Sequence, residues 1–329
     1  MQFDHEMKHS MKLKSLYYLY EKGYTQTEIA KRLNISRVTL SKWLDEAREE
    51  GLVKIEIVDT KRQLPLFQME EELKELFSLQ DVKIINSGNM DDRGVMFELA
   101  NGAIPYFEQL IHSNMKIGVT WGRTLNAMIS KLRSNFDVKN LSVYTLLGSV
   151  SSSATFQPNI LAQNLLSRYH GTLKIISAPF LCPTEQLCRD FKQIPEIDSI
   201  LREVKNLDLT LVGIGEVPQE RTEVLNDYPF DSAIIKDLIN NGAVGDICGN
   251  FFDIDGKPCD SVIKDRVLSI DIQELPQHKL VVGIAGGSNK VRSILGALHG
   301  SYLDILITDS QTASAVIAME KAYRGQNLQ

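Results

Sequence analysis

Gln26–Asp45 reads QTEIAKRLNISRVTLSKWLD. Two helices that cross closely need a small residue at the crossing and apolar residues facing inward. Ala30 is the small residue, and Ile29, Leu33, Ile35, Leu40 and Trp43 fall at the inward positions. Asn34 stands at the turn, where a left-handed backbone is tolerated by Gly or Asn. Ser36 is placed to cap the second helix and is counted with the DNA-contacting residues. The pattern predicts a helix-turn-helix. It leaves Arg37, Val38, Thr39, Ser41 and Lys42 near the start of the second helix, the end that enters the major groove in such motifs. Arg37 suits a bidentate contact to guanine. Lys42, Lys31 and Gln26 suit phosphate, which positions a protein without specifying sequence. The plainer alternative is a helical hairpin with solvated charges.

The flanks extend this reading. Met11–Tyr20 carries Leu13, Leu16, Tyr17 and Tyr20 at helical spacing, and Gly23 ends that helix. Val53–Val58, VKIEIV, alternates and predicts a short wing strand. From His5 to Arg48 there are nine basic and five acidic residues, in a chain whose net charge is −6. Contact with nucleic acid is therefore expected of this local patch alone. Leu64–Leu79 places Leu66, Met69, Leu73, Leu76 and Phe77 on one side. It reads as a linker helix that packs on the main domain or on a partner chain.

The remainder alternates strands and helices. Buried-strand runs are Val82–Ile85, Lys116–Thr120, Ser142–Leu147, Leu173–Ser177, Leu209–Gly213, Leu280–Ala285 and Ile305–Thr308. Such alternation predicts an α/β fold with a mostly parallel sheet covered on both faces. With 329 residues the chain is long enough for two domains. We place a winged helix-turn-helix at 1–60, a linker helix at 61–80 and an effector domain at 81–329. At 43% hydrophobic and 24% charged residues, with no long uncharged apolar run and no signal-peptide core, a cytoplasmic protein without a membrane partner is expected. Cys182, Cys188, Cys248 and Cys259 lack metal-ligand spacing, so neither metal nor cofactor is expected.

Two strand-to-helix turns carry the effector reading. Lys116–Leu125, KIGVTWGRTL, runs from a strand into Thr120, Trp121, Gly122, Arg123 and Thr124. Backbone N–H groups at such a helix start, with the helix dipole, favour an anion. The alternative is a threonine that only starts a helix. Val281–Lys290, VVGIAGGSNK, is neither a Walker A loop nor a Rossmann fingerprint, and Gly213-Ile214-Gly215 also fails as the latter. Lys290 in the first turn of a helix is an unusual cation at a positive dipole end, which fits a bound anion; the alternative is a solvated lysine. Asp246 follows AVG and suits sugar hydroxyls. Asp253 and Asp255 read as turn residues, and Asp309 as a helix cap.

These segments together resemble the SorC-type family of sugar-responsive transcription regulators. The resemblance rests on TQTEIAKRLNISRVTLSKWLDEAREEGLVKIEI, GVTWGRTL, GDICGNFFDIDG and VVGIAGGSNKVRSILGALHGSYLDILITDSQTA, in that order over nearly the whole chain. It implies an effector domain similar to sugar-phosphate isomerases and deaminases. It also implies a phosphate seat at Thr120, Gly122, Arg123 and Thr124, and a sugar end near Asp246 and Lys290. Tetrameric assembly, as a dimer of dimers, and operator affinity set by effector are implied as well. Where family members often carry paired glycines this chain has Gly148-Ser149, and the loop Val150–Thr155 is expected to shape effector choice.

The expectation is a regulator of a carbohydrate-utilisation operon. Its partners are operator DNA and a phosphorylated sugar or polyol, and it has no catalytic residue. The alternative is a sugar-phosphate isomerase- or deaminase-like enzyme carrying a DNA-binding segment, for which Asp246 and Lys290 could be cast as acid, base or Schiff-base groups. None of the six histidines lies in a glycine-rich strand-end loop. A ligand-free architectural DNA binder would leave those loops unexplained.

Overall fold

The computed structural model describes residues 2–60, 63–88, 90–150, 157–217 and 230–327. The chain divides into two units, Met1–Lys61 and Arg62–Gln329.

The first unit holds α1 (Gln2–Leu16), a π-helical turn (Tyr17–Glu21), α2 (Gln26–Leu33) and α3 (Arg37–Glu49). Thr25 opens α2 with a capping box: its hydroxyl accepts from the Glu28 N–H, while its own N–H donates to the Glu28 carboxylate at 2.8 Å. Asn34 closes α2 at φ 53°, the left-handed turn its position predicts. Ser36 opens α3 by accepting the Thr39 N–H at 3.0 Å. The core is Leu16, Ile29, Ala30, Leu40, Leu44 and Ala47, with Leu33 and Ile35 partly buried against it. Trp43, expected inward, is only half-buried. Leu44 takes its place, because Leu40, Leu44 and Ala47 share the helical face one turn apart. Lys12 ties α1 to α3 through Glu46 at 2.7 Å and Glu50 at 2.6 Å.

The expected wing strand is not formed. Residues 53–59 carry no strand assignment, and Ile55, Ile57 and Val58 are exposed. A strand satisfies its N–H and C=O groups only through a neighbour, and no second strand exists among the described residues of this unit.

The second unit begins with α4 (Leu64–Phe77) and β1 (Asp81–Ile85). There follow α5 (Asp92–Leu110), β2 (Lys116–Val119), α6 (Arg123–Lys131), β3 (Leu141–Thr145), α7 (Pro158–Leu166), β4 (Gly171–Lys174), α8 (Glu185–Gln193), α9 (Pro195–Glu203) and β5 (Leu209–Val212). After these come β6 (Gly215–Glu216), α10 (Ser232–Asn240), β7 (Gly245–Ile247), β8 (Asn250–Phe252), β9 (Val281–Ile284), α11 (Val291–His299), β10 (Ile305–Asp309) and α12 (Ser310–Asn327). Seven strands form one sheet in the order β1-β10-β9-β5-β2-β3-β4, with every pairing parallel. All seven expected runs contribute to it. Alternate residues feed opposite faces, as the period of two requires. Ile305 and Ile307 face a core with Phe107, Met128 and Leu161, whereas Leu306 joins Leu73, Leu295 and Val316 on the other side.

The expected apolar face of α4 is covered by its own unit. Leu73 is fully buried, and Leu66, Met69, Leu76 and Phe77 pack on the core. Arg324 of α12 donates to the Leu76 carbonyl at 2.6 Å, and Lys321 pairs with Glu72 at 2.6 Å. Packing on the main domain is thus the alternative the chain adopts.

A second, antiparallel sheet is formed by β6, β7 and β8, outside the seven expected runs. Cys248 and Gly249, at φ 57° and 75°, form a two-residue hairpin between β7 and β8.

Candidate functional site

The strand order holds a switch. From β2 the chain steps outward to β3 and β4; from β5 it steps the other way to β9 and β10. β2 and β5 are neighbours, so the connections leaving their carboxyl ends diverge and open a crevice, the place where open α/β sheets bind ligands. A cleft of about 490 Å³ lies there. Its walls come from four strand ends: Asp92, Arg93 and Met96 after β1, Trp121–Leu125 after β2, Gly213–Glu216 after β5, and Ile284–Gly287, Asn289 and Lys290 at β9.

Both expected turns thus meet in one cleft, and their helices start alike. Gly122 precedes α6 at φ 144°, and Gly287 precedes the 3-10 turn that leads into α11 at φ 104°. These conformations are rare for residues with a Cβ. No side chain caps either start. The other described α-helices of this unit begin differently. Asp91, Thr184, Asp231 and Asp309 accept from the first turns of α5, α8, α10 and α12. Proline opens α4, α7 and α9. An uncapped start turns its first N–H groups toward whatever lies in front, with the positive end of the helix dipole behind them.

Of the expected effector residues, Trp121, Gly122, Arg123, Thr124 and Lys290 line the cleft. Two do not. Thr120 is fully buried: its hydroxyl accepts the Gly213 N–H at 3.1 Å and donates to the Trp121 carbonyl at 3.2 Å. It ties the ends of β2 and β5 together, which positions the first turn. Asp246 sits on β7, 1% exposed, accepting the Gly249 N–H at 2.9 Å inside the hairpin. Burial, and then the Asp246 charge, pushes the neighbouring Cys248 thiol well above its ordinary range. Asp309, expected as a cap, is one. Its buried carboxylate accepts the N–H groups of Gln311 and Thr312, and that of Gly287 at 2.9 Å, so one group both starts α12 and holds the second turn.

Sequence reading missed Asp92, Arg93, Met96, Glu216 and Asn289. Asn289 lies within the quoted GGSNK, but the others gain meaning only when distant strand ends converge. Trp121 is braced from behind by Phe180, ring centroids 4.7 Å apart. The loop Val150–Thr155 lies outside the described residues beyond Val150.

In the first unit Lys31, Ser36, Arg37, Val38, Ser41 and Lys42 are exposed, while Gln26 and Thr39 are half-buried. Ser36 and Thr39 bond each other at 2.7 Å besides the cap. Val38 is 80% exposed in the middle of this face, suited to apolar contact with a thymine methyl group.

A family model described as "Putative sugar-binding domain" matches residues 61–318, and one described as "Homeodomain-like domain" matches residues 8–54. The deoxyribonucleoside regulator of Bacillus subtilis is 30% identical over 299 residues, covering 91% of this chain and 94% of that protein. The sorbitol operon regulator of Klebsiella pneumoniae is 29% identical over 310 residues, covering 93% and 96%. The crystal structure of that full-length regulator, SorC, superposes with a TM-score of 0.72 at 27% identity, covering 94% of this chain and 98% of its own.

Proposed function

The chain belongs to the SorC-type family of transcription regulators, and from that premise we propose that its cleft takes a phosphorylated sugar or polyol whose binding changes operator affinity. One observation carries the reading: two uncapped helix starts face a single cleft at the sheet's switch point. A phosphate in front of such a start gains N–H donors and a favourable dipole. Thr124 adds a hydroxyl, and Arg123 and Lys290 bring positive charge to the same walls. Trp121 offers an aromatic surface to the apolar face of a sugar.

The relatives named above are regulators, and we read this chain likewise as a binding protein without turnover. Among the described residues lining the cleft there is neither a histidine nor a cysteine. Operator reading falls to α3. We assign base edges to Arg37, Val38 and Ser41, and phosphates to Lys31, Lys42 and Gln26. One such module reads a short site, so the operator-bound form is a homo-oligomer, a dimer of dimers, that spans repeated half-sites. Sedimentation of the full chain with operator DNA tests that; a monomer at micromolar concentration overturns it.

The effector reading is tested by calorimetry with matched phosphorylated and free sugars. Charge-assisted hydrogen bonds are worth about 1.5–3 kcal/mol each, so the free sugar should bind about tenfold more weakly or worse. Equal affinities, or measurable conversion of a sugar phosphate to product, would overturn this reading.

A further inference from the structure

The two turns differ in what stands against them, and at the second it is the carboxylate of Asp92. Its carboxylate accepts from the Asn289 side-chain amide at 3.4 Å. A Cβ built on Gly287 would lie 3.3 Å from an Asp92 oxygen, so glycine there lets the carboxylate approach the second turn. Both residues line the cleft. A phosphate dianion seated at the second turn would meet this carboxylate at close range, and like charges in contact oppose binding. The first turn, Gly122–Thr124, presents a hydroxyl and a guanidinium side chain instead.

We propose that Asp92 and Asn289 form a hydroxyl-reading pair at the second turn, the end where the family resemblance implies the sugar, and that this pair selects among sugars. This rests on the effector reading above. The chemistry fits. An ionised carboxylate accepts from two hydroxyls, a side-chain amide both donates and accepts, and Lys290 in the same turn donates. Together they match neighbouring hydroxyl groups, each of which is donor and acceptor. A site built to bond a hydroxyl rejects the analogue lacking it, because its polar groups are then left unpaired. Asp92 and Asn289 are therefore expected to decide which sugar is bound, while the first turn decides that it is phosphorylated.

The test is calorimetry on the full chain and on Asp92→Asn. The probes are inorganic phosphate, pentose 5-phosphates, hexose and hexitol 6-phosphates, their deoxy counterparts, and the free sugars. Asp92 is exposed and the change is isosteric, so folding is not at stake. For the sugar phosphate that binds wild type best, Asp92→Asn should lose about tenfold or more in affinity. Its preference over the deoxy analogue should shrink in step, and inorganic phosphate should bind no more weakly than before. Unchanged sugar-phosphate affinity, or an equal loss for inorganic phosphate, overturns the pair. If free sugars bind wild type as tightly as their phosphates, the phosphate seat fails. Asp92→Asn titrated with those free sugars then still decides the pair, a loss supporting it and no change overturning it. A wild-type chain that binds no probe overturns both.

Discussion

The two units use the starts of their helices in opposite ways. In the first, Thr25 and Ser36 spend their hydroxyls on the opening turns of α2 and α3, so the backbone is closed and recognition is left to projecting side chains. In the second, α6 and the turn into α11 begin at glycine without a side-chain cap, so the backbone is available to a ligand. Under the proposed function, the difference matches what each unit reads. Base edges differ in donor pattern and lie deep in a groove, so long side chains reach them. A phosphate is small and charged, and main-chain N–H groups meet it at short range.

Substitutions test this contrast. The largest effect is expected from Asp309→Ala. Three backbone N–H groups and the hydroxyls of Ser87 and Thr312 lose one buried acceptor. With about 1–3 kcal/mol for each donor left buried and unpaired, the second unit should lose about 3–5 kcal/mol of stability, read by chemical denaturation. A loss below that range would mean the second turn holds its shape without this anchor.

Thr124→Val comes next and bears directly on the contrast. It keeps the side-chain volume and removes the hydroxyl. We expect about tenfold weaker sugar-phosphate binding, or worse, with thermal stability and operator binding unchanged. If stability fell instead and affinity held, Thr124 would be acting as Thr25 and Ser36 do, and the two units would no longer differ.

Arg37→Ala should cost about 1–3 kcal/mol of operator affinity and relax preference at one base position. Lys42→Ala should weaken all sequences alike and flatten the dependence of log K on log salt by about one unit. Binding titrations at several salt concentrations separate the two, and the same profile for both variants would remove the division between base and phosphate contact. The smallest effect belongs to Ser36→Ala. Its hydroxyl is committed to the cap, so the first unit should lose about 1 kcal/mol of stability with base preference retained. A change in preferred sequence would show that Ser36 reads DNA directly.

The helix-turn-helix was legible because its determinants are local. Ala30, Asn34 and Ser36 act within one turn of their own backbone, and the apolar period selects a face. Where the reading slipped, the cause was a neighbour. VKIEIV has the pattern of a strand but, among the described residues of its unit, no strand to pair with. Ser142–Leu147 and Leu173–Ser177 read longer than β3 and β4 because the Ile176 N–H is taken by the Thr145 hydroxyl at 2.9 Å, away from the ladder. Among the candidate site residues, those of the two glycine turns reach the cleft. Thr120 and Asp246 are drawn into the framework that carries it.

Residue type and spacing alone gave the seven strands of the sheet, the two strand-to-helix glycine turns and the outward face of α3, though β4 lies at the sheet edge and is not buried. Each is set by residue type and spacing within a dozen positions, through hydrophobic period, backbone permission at glycine, and capping chemistry. Only the tertiary structure decided that the turns after β2 and β9 open on one cleft, that Asp92 stands against Gly287 and Asn289 nearly two hundred residues away, and that Thr120 bonds to Gly213 instead of facing a ligand. Those pairings follow from the order of strands in the sheet. That order arises from long-range packing of apolar faces, which no local pattern encodes.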